Sequence, residues 1–223
     1  MRLIQITPPA VEPVSIQEAK QHARIEYPDD DTLVAGLISS ARIYCETALR
    51  SVLITQAYTL YLDSFPSAGG YYNRAIRELW PSLGGLPSGL GFYPGMIPNS
   101  TGVIDIPVPP LQSLTSVQYW DFAGVLQTFD PAQYNVSLGT PGRIQPAYSK
   151  IWPIARPTID SVQVNFVAGY GDATKTPQNV KVAICALVAH WYENREAVSQ
   201  GSYAPVPLMI DALLSPSEPG IYA

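Results

Sequence analysis

The segment best arranged for chemistry lies in the last third of the chain, where Gly169, Gly171, Lys175 and Thr176 bracket a stretch with the composition of a phosphate-cradling loop. Such a loop wraps backbone N–H groups around an anion, and the residue just before its lysine is a glycine so that the main chain can approach without a side chain. Thr174 occupies that position here, and Pro177 removes a donor from the start of the following helix. No parallel βαβ pattern surrounds it, so the segment reads as a plain strand-to-helix turn. His190 and Glu193 stand three residues apart, a spacing used by metal sites and acid–base pairs, but neither HExxH nor a second nearby histidine completes a site. A polar network at a helix end with Asn194 and Arg195 is the simpler reading. His22 reads as a half-buried surface residue, because no serine or cysteine sits in a nucleophile motif such as GxSxG. Asp29, Asp30 and Asp31 cannot all converge on one cation and instead suit a helix start. Cys45 and Cys185 sit among apolar residues and are expected to be buried free thiols. The expectation is therefore no enzyme, no cofactor and no metal.

Composition points the same way. Only 14% of the 223 residues are charged while 47% are hydrophobic, against a charged share of roughly a quarter in ordinary soluble domains. Either the core is large or neighbouring subunits cover surface that would otherwise meet water. The 22 prolines, about double the usual share, favour extended connections between packed elements. A net charge of −5 with no basic run argues against binding nucleic acid through its phosphates. No apolar stretch approaches the roughly 20 residues of a membrane-spanning helix, so no membrane partner is expected. The opening residues lack the apolar core of a signal peptide, which makes a cytoplasm the expected place of synthesis and assembly.

The elements that must carry these residues follow from local signals. Ser15 and Glu18 form a capping box, with Pro13 marking an extended approach, and predict a first helix ending near Ile25. After Tyr27-Pro28, the aspartates start a second helix with Leu33, Val34, Leu37, Ile38, Ala41, Cys45 and Leu49 at helical spacing. Alternation from Leu53 to Leu62 predicts a strand, and further short strands are expected at 103–108, 114–120, 134–138, 143–147 and 161–168. A last helix is expected with Thr176 as N-cap and Pro177 at its first position, running to about Ser199. It is apolar almost all round, which marks an element covered on every side, by the β region or by a neighbouring copy.

Two segments lack a core of their own. Residues 67–100, rich in Gly, Pro and aromatics, read as a projecting arm whose Tyr71, Tyr72, Trp80, Phe92 and Tyr93 pack on something else. Residues 201–223 read as an extended, proline-flanked apolar tail that docks on a partner. The expected architecture is α+β: a helical bundle from residues 1–52 and 172–200, a small antiparallel β insertion at 53–171, and the tail.

Taken in order, Glu12-Pro13-Val14-Ser15 with Glu18-Ala19-Lys20, the Asp29 to Asp31 helix start, Leu53-Ile54-Thr55-Gln56 and Leu62-Asp63-Ser64-Phe65-Pro66 form a recognisable succession. It continues with Pro109-Pro110-Leu111, Ser116-Val117-Gln118-Tyr119, Tyr134-Asn135-Val136, Arg143-Ile144, Trp152-Pro153 and the run from His190 through Trp191-Tyr192-Glu193-Asn194-Arg195-Glu196. The whole resembles the head-tail connector, or adaptor, family of long-tailed bacteriophages and gene-transfer particles over residues 12–198. The 67–100 arm departs from it in looking longer than the family's usual link.

The resemblance implies a structural ring subunit, a dodecamer below the portal protein with a tail-side stopper or tail terminator protein beneath, located in the virion neck. Genomic DNA would pass through the lumen without specific binding. By resemblance the tail grips the portal through Tyr203, Val206, Leu208, Met209, Ile210, Leu213 and Leu214. Ile184, Leu187, Val188, Trp191, Tyr192, Glu193 and Arg195 on the last helix would serve the core or subunit contacts. Two rival readings fit the same composition: another neck or tail-completion protein, and a glycan-binding β module on a helical stalk, suggested by the Tyr and Trp content.

Overall fold

A computed structural model of the chain describes residues 1–66 and 102–194, together with Ile210, Leu213 and Leu214. The arm at 67–100, with Tyr71, Tyr72, Trp80, Phe92 and Tyr93, lies outside the described residues, as do Arg195, Tyr203, Val206, Leu208 and Met209.

Helix α1 (Ile16–Ala23) begins as its capping box dictates. The Ser15 hydroxyl accepts from the Glu18 N–H at 3.2 Å, and the Glu18 carboxylate accepts from the Ser15 N–H at 2.7 Å. It stops where Arg24 turns left-handed at φ 55°. A 3-10 turn over Pro28–Asp30 leads into α2 (Asp31–Leu49), which buries Val34, Ile38, Ala41, Cys45 and Leu49 on one face. Lys20 Nζ reaches Asp31 Oδ1 at 2.6 Å and pins the two helices together. Helix α3 (Gln178–Glu193) lies against both, and its Val180, Ala183, Ile184, Leu187 and Val188 have 0% exposure in the helical core.

The β region is a five-stranded antiparallel sheet in the order β1 (Arg2–Thr7), β2 (Gln56–Leu62), β8 (Val162–Ala168), β4 (Leu111–Trp120), β5 (Leu126–Phe129). A second sheet, β3 (Ile104–Asp105), β7 (Arg143–Pro146), β6 (Tyr134–Ser137), joins it around a second core. Alternation sets which face is which: Val162, Val164, Phe166 and Ala168 of β8 point into that core, while Gln163 and Asn165 point out. On the outer face Asn165 is tied to Thr59, Ser116 and Gln118 by side-chain hydrogen bonds. Inside, Trp152 stacks on Phe65 at 5.0 Å and donates its indole N–H to the Gly102 carbonyl.

The two cores meet where the chain crosses between them. Thr55 N–H donates to the Gly171 carbonyl at 2.8 Å, and Gly169 N–H to the Pro110 carbonyl at 2.9 Å. Gly169 is required there, because it sits at φ +124° and a Cβ would come within 2.5 Å of the Ile54 carbonyl oxygen.

The α+β class is as expected, with two N-terminal helices, a long C-terminal helix and an inserted antiparallel β region. Several details differ from the sequence reading, among them strand β5, which no expected strand covers. Residues 2–7 form strand β1 and belong to the sheet; β1 is short, exposed and at an edge, so little burial pattern marks it. Thr176 is not the cap of α3. Pro177 takes that place in extended geometry (ψ 137°), and the Thr176 side chain turns inward, its hydroxyl buried without a partner. Finally, α1, α2, Ile210 and Leu214 of the same chain cover the buried face of α3, while Val182, Ala186 and Ala189 stay partly exposed.

Candidate functional site

The C-terminal residues that are described all return to the helical core. Ile210 is 0% and Leu214 3% exposed, Leu213 packs on the same cluster, and its carbonyl accepts from Asn179 Nδ2 at 2.7 Å. The three are helical rather than extended. An i, i+3, i+4 apolar set was visible in the sequence, but whether it met this chain or another depends on long-range packing that no local pattern carries.

Along α3 the predicted residues divide by face. Ile184, Leu187 and Val188 are core; Trp191 and Tyr192 are half-buried at its edge; Glu193 is exposed. The Trp191 ring meets Tyr44 edge-on at 6.3 Å, and the Tyr192 hydroxyl donates to Asp30. Asn194 Nδ2 donates to the His190 carbonyl at 2.9 Å, one contact of the helix-end network expected of His190 and Glu193 with Asn194 and Arg195, the last of which lies outside the described residues. His22 is exposed and lines a groove of about 280 Å³ between α1 and α3 with Glu18, Gln21, Gln178 and Lys181.

The segment that mimics a phosphate loop closes on itself. Asp172 Oδ1 accepts from the Thr174 N–H at 2.9 Å and from its hydroxyl, and these bonds hold the carboxyl below its usual range. A carboxylate therefore occupies the amide that an anion would need. Both thiols are buried and pushed upward by desolvation, Cys45 to about 12, which removes nucleophilic character. Among the described residues, no group of three His, Cys, Asp or Glu could hold a metal ion.

The densest polar cluster was not singled out from sequence. Arg42, only 8% exposed at its side chain, donates from Nε to Glu12 and from Nη1 to Glu46, both at 2.8 Å. Glu46 Oε1 in turn accepts from the Leu53 N–H at 3.0 Å and from Gln56 Nε2 at 3.2 Å. Burial pushes the Glu46 carboxyl above its usual range, partly offset by the Leu53 N–H and Arg42. Tyr58 donates its hydroxyl to Gln56, and burial with nearby Glu46 pushes that phenol up to about 12. The cluster joins α2 to β2 and holds the helical and β regions in fixed relation. Its signal was an arginine inside the apolar face of α2 with a glutamate four residues on.

A chain from the virion of a native gene transfer agent particle aligns with TM-score 0.68 at 17% identity, covering 97% of this chain and 94% of that one. Chains from the neck of an empty particle computed with C6 symmetry (TM-score 0.69, 18% identity) and of a native particle computed with C12 symmetry (0.66, 17%) align over the same shares. Chains of gene transfer agent particles share this fold. No family model matches the sequence, and no curated protein does.

At the end of the five-stranded sheet farthest from the helices, Phe122, Val125, Ile151, Ile154 and Ile159 are each more than half exposed. The edge strand β1 also carries exposed apolar side chains, Leu3 and Ile6. Such a distribution suits a chain with neighbours.

Proposed function

We propose that this protein is a structural neck subunit of a tailed-phage or gene-transfer particle: a connector that forms a ring, joins the head to the tail and continues the DNA channel. The observation that carries the reading is the near end-to-end structural match to neck chains, 97% of this chain on 94% of theirs. Agreement across both cores and the crossing between them is more than a shared helical bundle or sheet would give, although fold alone never fixes function. The closed phosphate-like loop, the inert thiols and the low charge content support a structural rather than a catalytic role.

In this reading the ring is a dodecamer seated under the portal protein, with a tail-side stopper or terminator below it, in the virion neck after assembly in the host cytoplasm. Net acidity of −5 keeps DNA phosphates from adhering to the lumen. Portal contact falls to Tyr203, Val206, Leu208 and Met209, since Ile210, Leu213 and Leu214 are engaged in the subunit's own core.

Native mass spectrometry of the full chain, alone and mixed with the portal of the same particle, tests this. The expected result is a closed oligomer that binds the portal. A chain that stays monomeric under both conditions would overturn it.

A further inference from the structure

The five-stranded sheet is open at both sides. Among the described residues nothing pairs with the outer edge of β1 or of β5. Unpaired edges with exposed apolar side chains invite strand addition and are usually blunted or covered. Here a bulge near the end of β1 and the four-residue length of β5 blunt the edges only in part: Leu3 is 37% and Ile6 58% exposed beside one edge, Val125 53% and Leu126 37% beside the other.

Strand order fixes how the edges could meet. Four antiparallel pairings separate β1 from β5, so the two run in the same direction. Their registers also align, since Arg2, Tyr61, Gln163, Gln118 and Thr128 form one continuous row across the sheet on its outer face. The one ionic side chain of β1, Arg2, is paired with Asp160 of its own chain at 2.5 Å, so the fit of the two edges rests on their direction and register. Two different surfaces that fit each other generate a ring when the rotation closes.

We infer that β1 of one copy adds in parallel to β5 of the next, so that the outer sheets run continuously around the assembly and both edges vanish. The partner is a second copy of this chain, and the inference rests on the ring reading given above. The outward groups of β5 can be identified. Trp120 N–H donates away from β5, to the Ser161 carbonyl at 2.9 Å, so the Trp120–Leu126 and Gln118–Thr128 pairs are the open ones of the ladder. Leu126 and Thr128 therefore turn their N–H and C=O toward the free edge.

The test uses the full chain. Thr128→Cys is combined with Arg2→Cys or with Ile4→Cys, which sample two registers on the same face, and oxidised at assembly concentration. Strand spacing of roughly 5 Å lies within disulfide reach. The native Cys45 and Cys185 are buried. The expected result is a covalent ladder of trimers and larger species on a denaturing gel, with single-cysteine variants stopping at dimers. Thr128→Pro, which removes an outward donor and leaves the β4 ladder whole, is expected to abolish the oligomer while keeping the monomer's melting temperature. Oligomers that persist in Thr128→Pro and give no ladder from either pair overturn the edge contact and leave the ring reading standing. A wild-type chain that is monomeric alone and with portal overturns both.

Discussion

The side-chain amide of Asn179 donates to the carbonyl of Leu213 at 2.7 Å, so the first turn of the last helix holds a segment 34 residues further along the chain. With Ile210 and Leu214 beneath that bond, part of the C-terminal peptide completes the helical core. A partner that recruits this peptide must therefore use the residues before it or displace it at a cost in stability.

Ile210→Ala or Leu214→Ala is accordingly expected to destabilise the isolated subunit by about 2–5 kcal/mol, the range for large-to-small changes in a core. Truncation after Gly201 removes both and should lower the melting temperature further. Denaturant unfolding measures each; an unchanged midpoint would show that the peptide contributes nothing to the fold.

Gly169→Ala forces a side chain onto a left-handed residue whose Cβ would lie 2.5 Å from the Ile54 carbonyl oxygen. The expected loss is more than about 1 kcal/mol, because neither backbone can yield without breaking the crossing between the cores. Thermal melting checks it, with Gly139→Ala as a comparison in which no atom lies within 4 Å of the new Cβ although φ is also positive.

Glu46 sets a pH dependence. Its carboxyl titrates above the usual 4.5 in the fold, mainly through burial. A raised folded-state value means that its contribution is fully present below the unfolded pKa and is lost as pH rises through the folded one. Relative to Glu46→Gln, the wild-type melting temperature should therefore fall as pH climbs above 4.5. A difference that stays constant with pH would assign no role to this titration.

Trp191→Ala removes a half-buried ring that meets Tyr44 edge-on at 6.3 Å. A loss of about 2 kcal/mol is expected, below the full-core range because one side of the ring faces water. Equilibrium unfolding reads it directly, and a value within experimental error of zero would move Trp191 out of the packing.

Where the sequence and the structure agree, the signals were local. Ser15 with Glu18, the Asp31 helix start and the alternation of Val162, Val164 and Phe166 each specify an element within a few residues. What the sequence hid was long-range. Strand β1 is defined by its pairing with residues near 60, not by its own burial pattern. Thr176 and Pro177 have the composition of a helix start, yet the backbone stays extended through Pro177 and the hydroxyl faces the interior. The apolar character of Ile210 and Leu214 was plain, and only packing revealed that their partner is this chain. The Arg42–Glu46 cluster is not legible locally, because the glutamine and the N–H that complete it come from the next strand and its approach.

A neck connector is expected to couple head to tail physically. DNA-filled heads and separately purified tails from particles lacking this chain can be mixed with and without the purified protein, and joined particles counted by electron microscopy. Joining that depends on the added protein, with new density at the neck, is the predicted result. Equal joining in its absence would contradict a connector role.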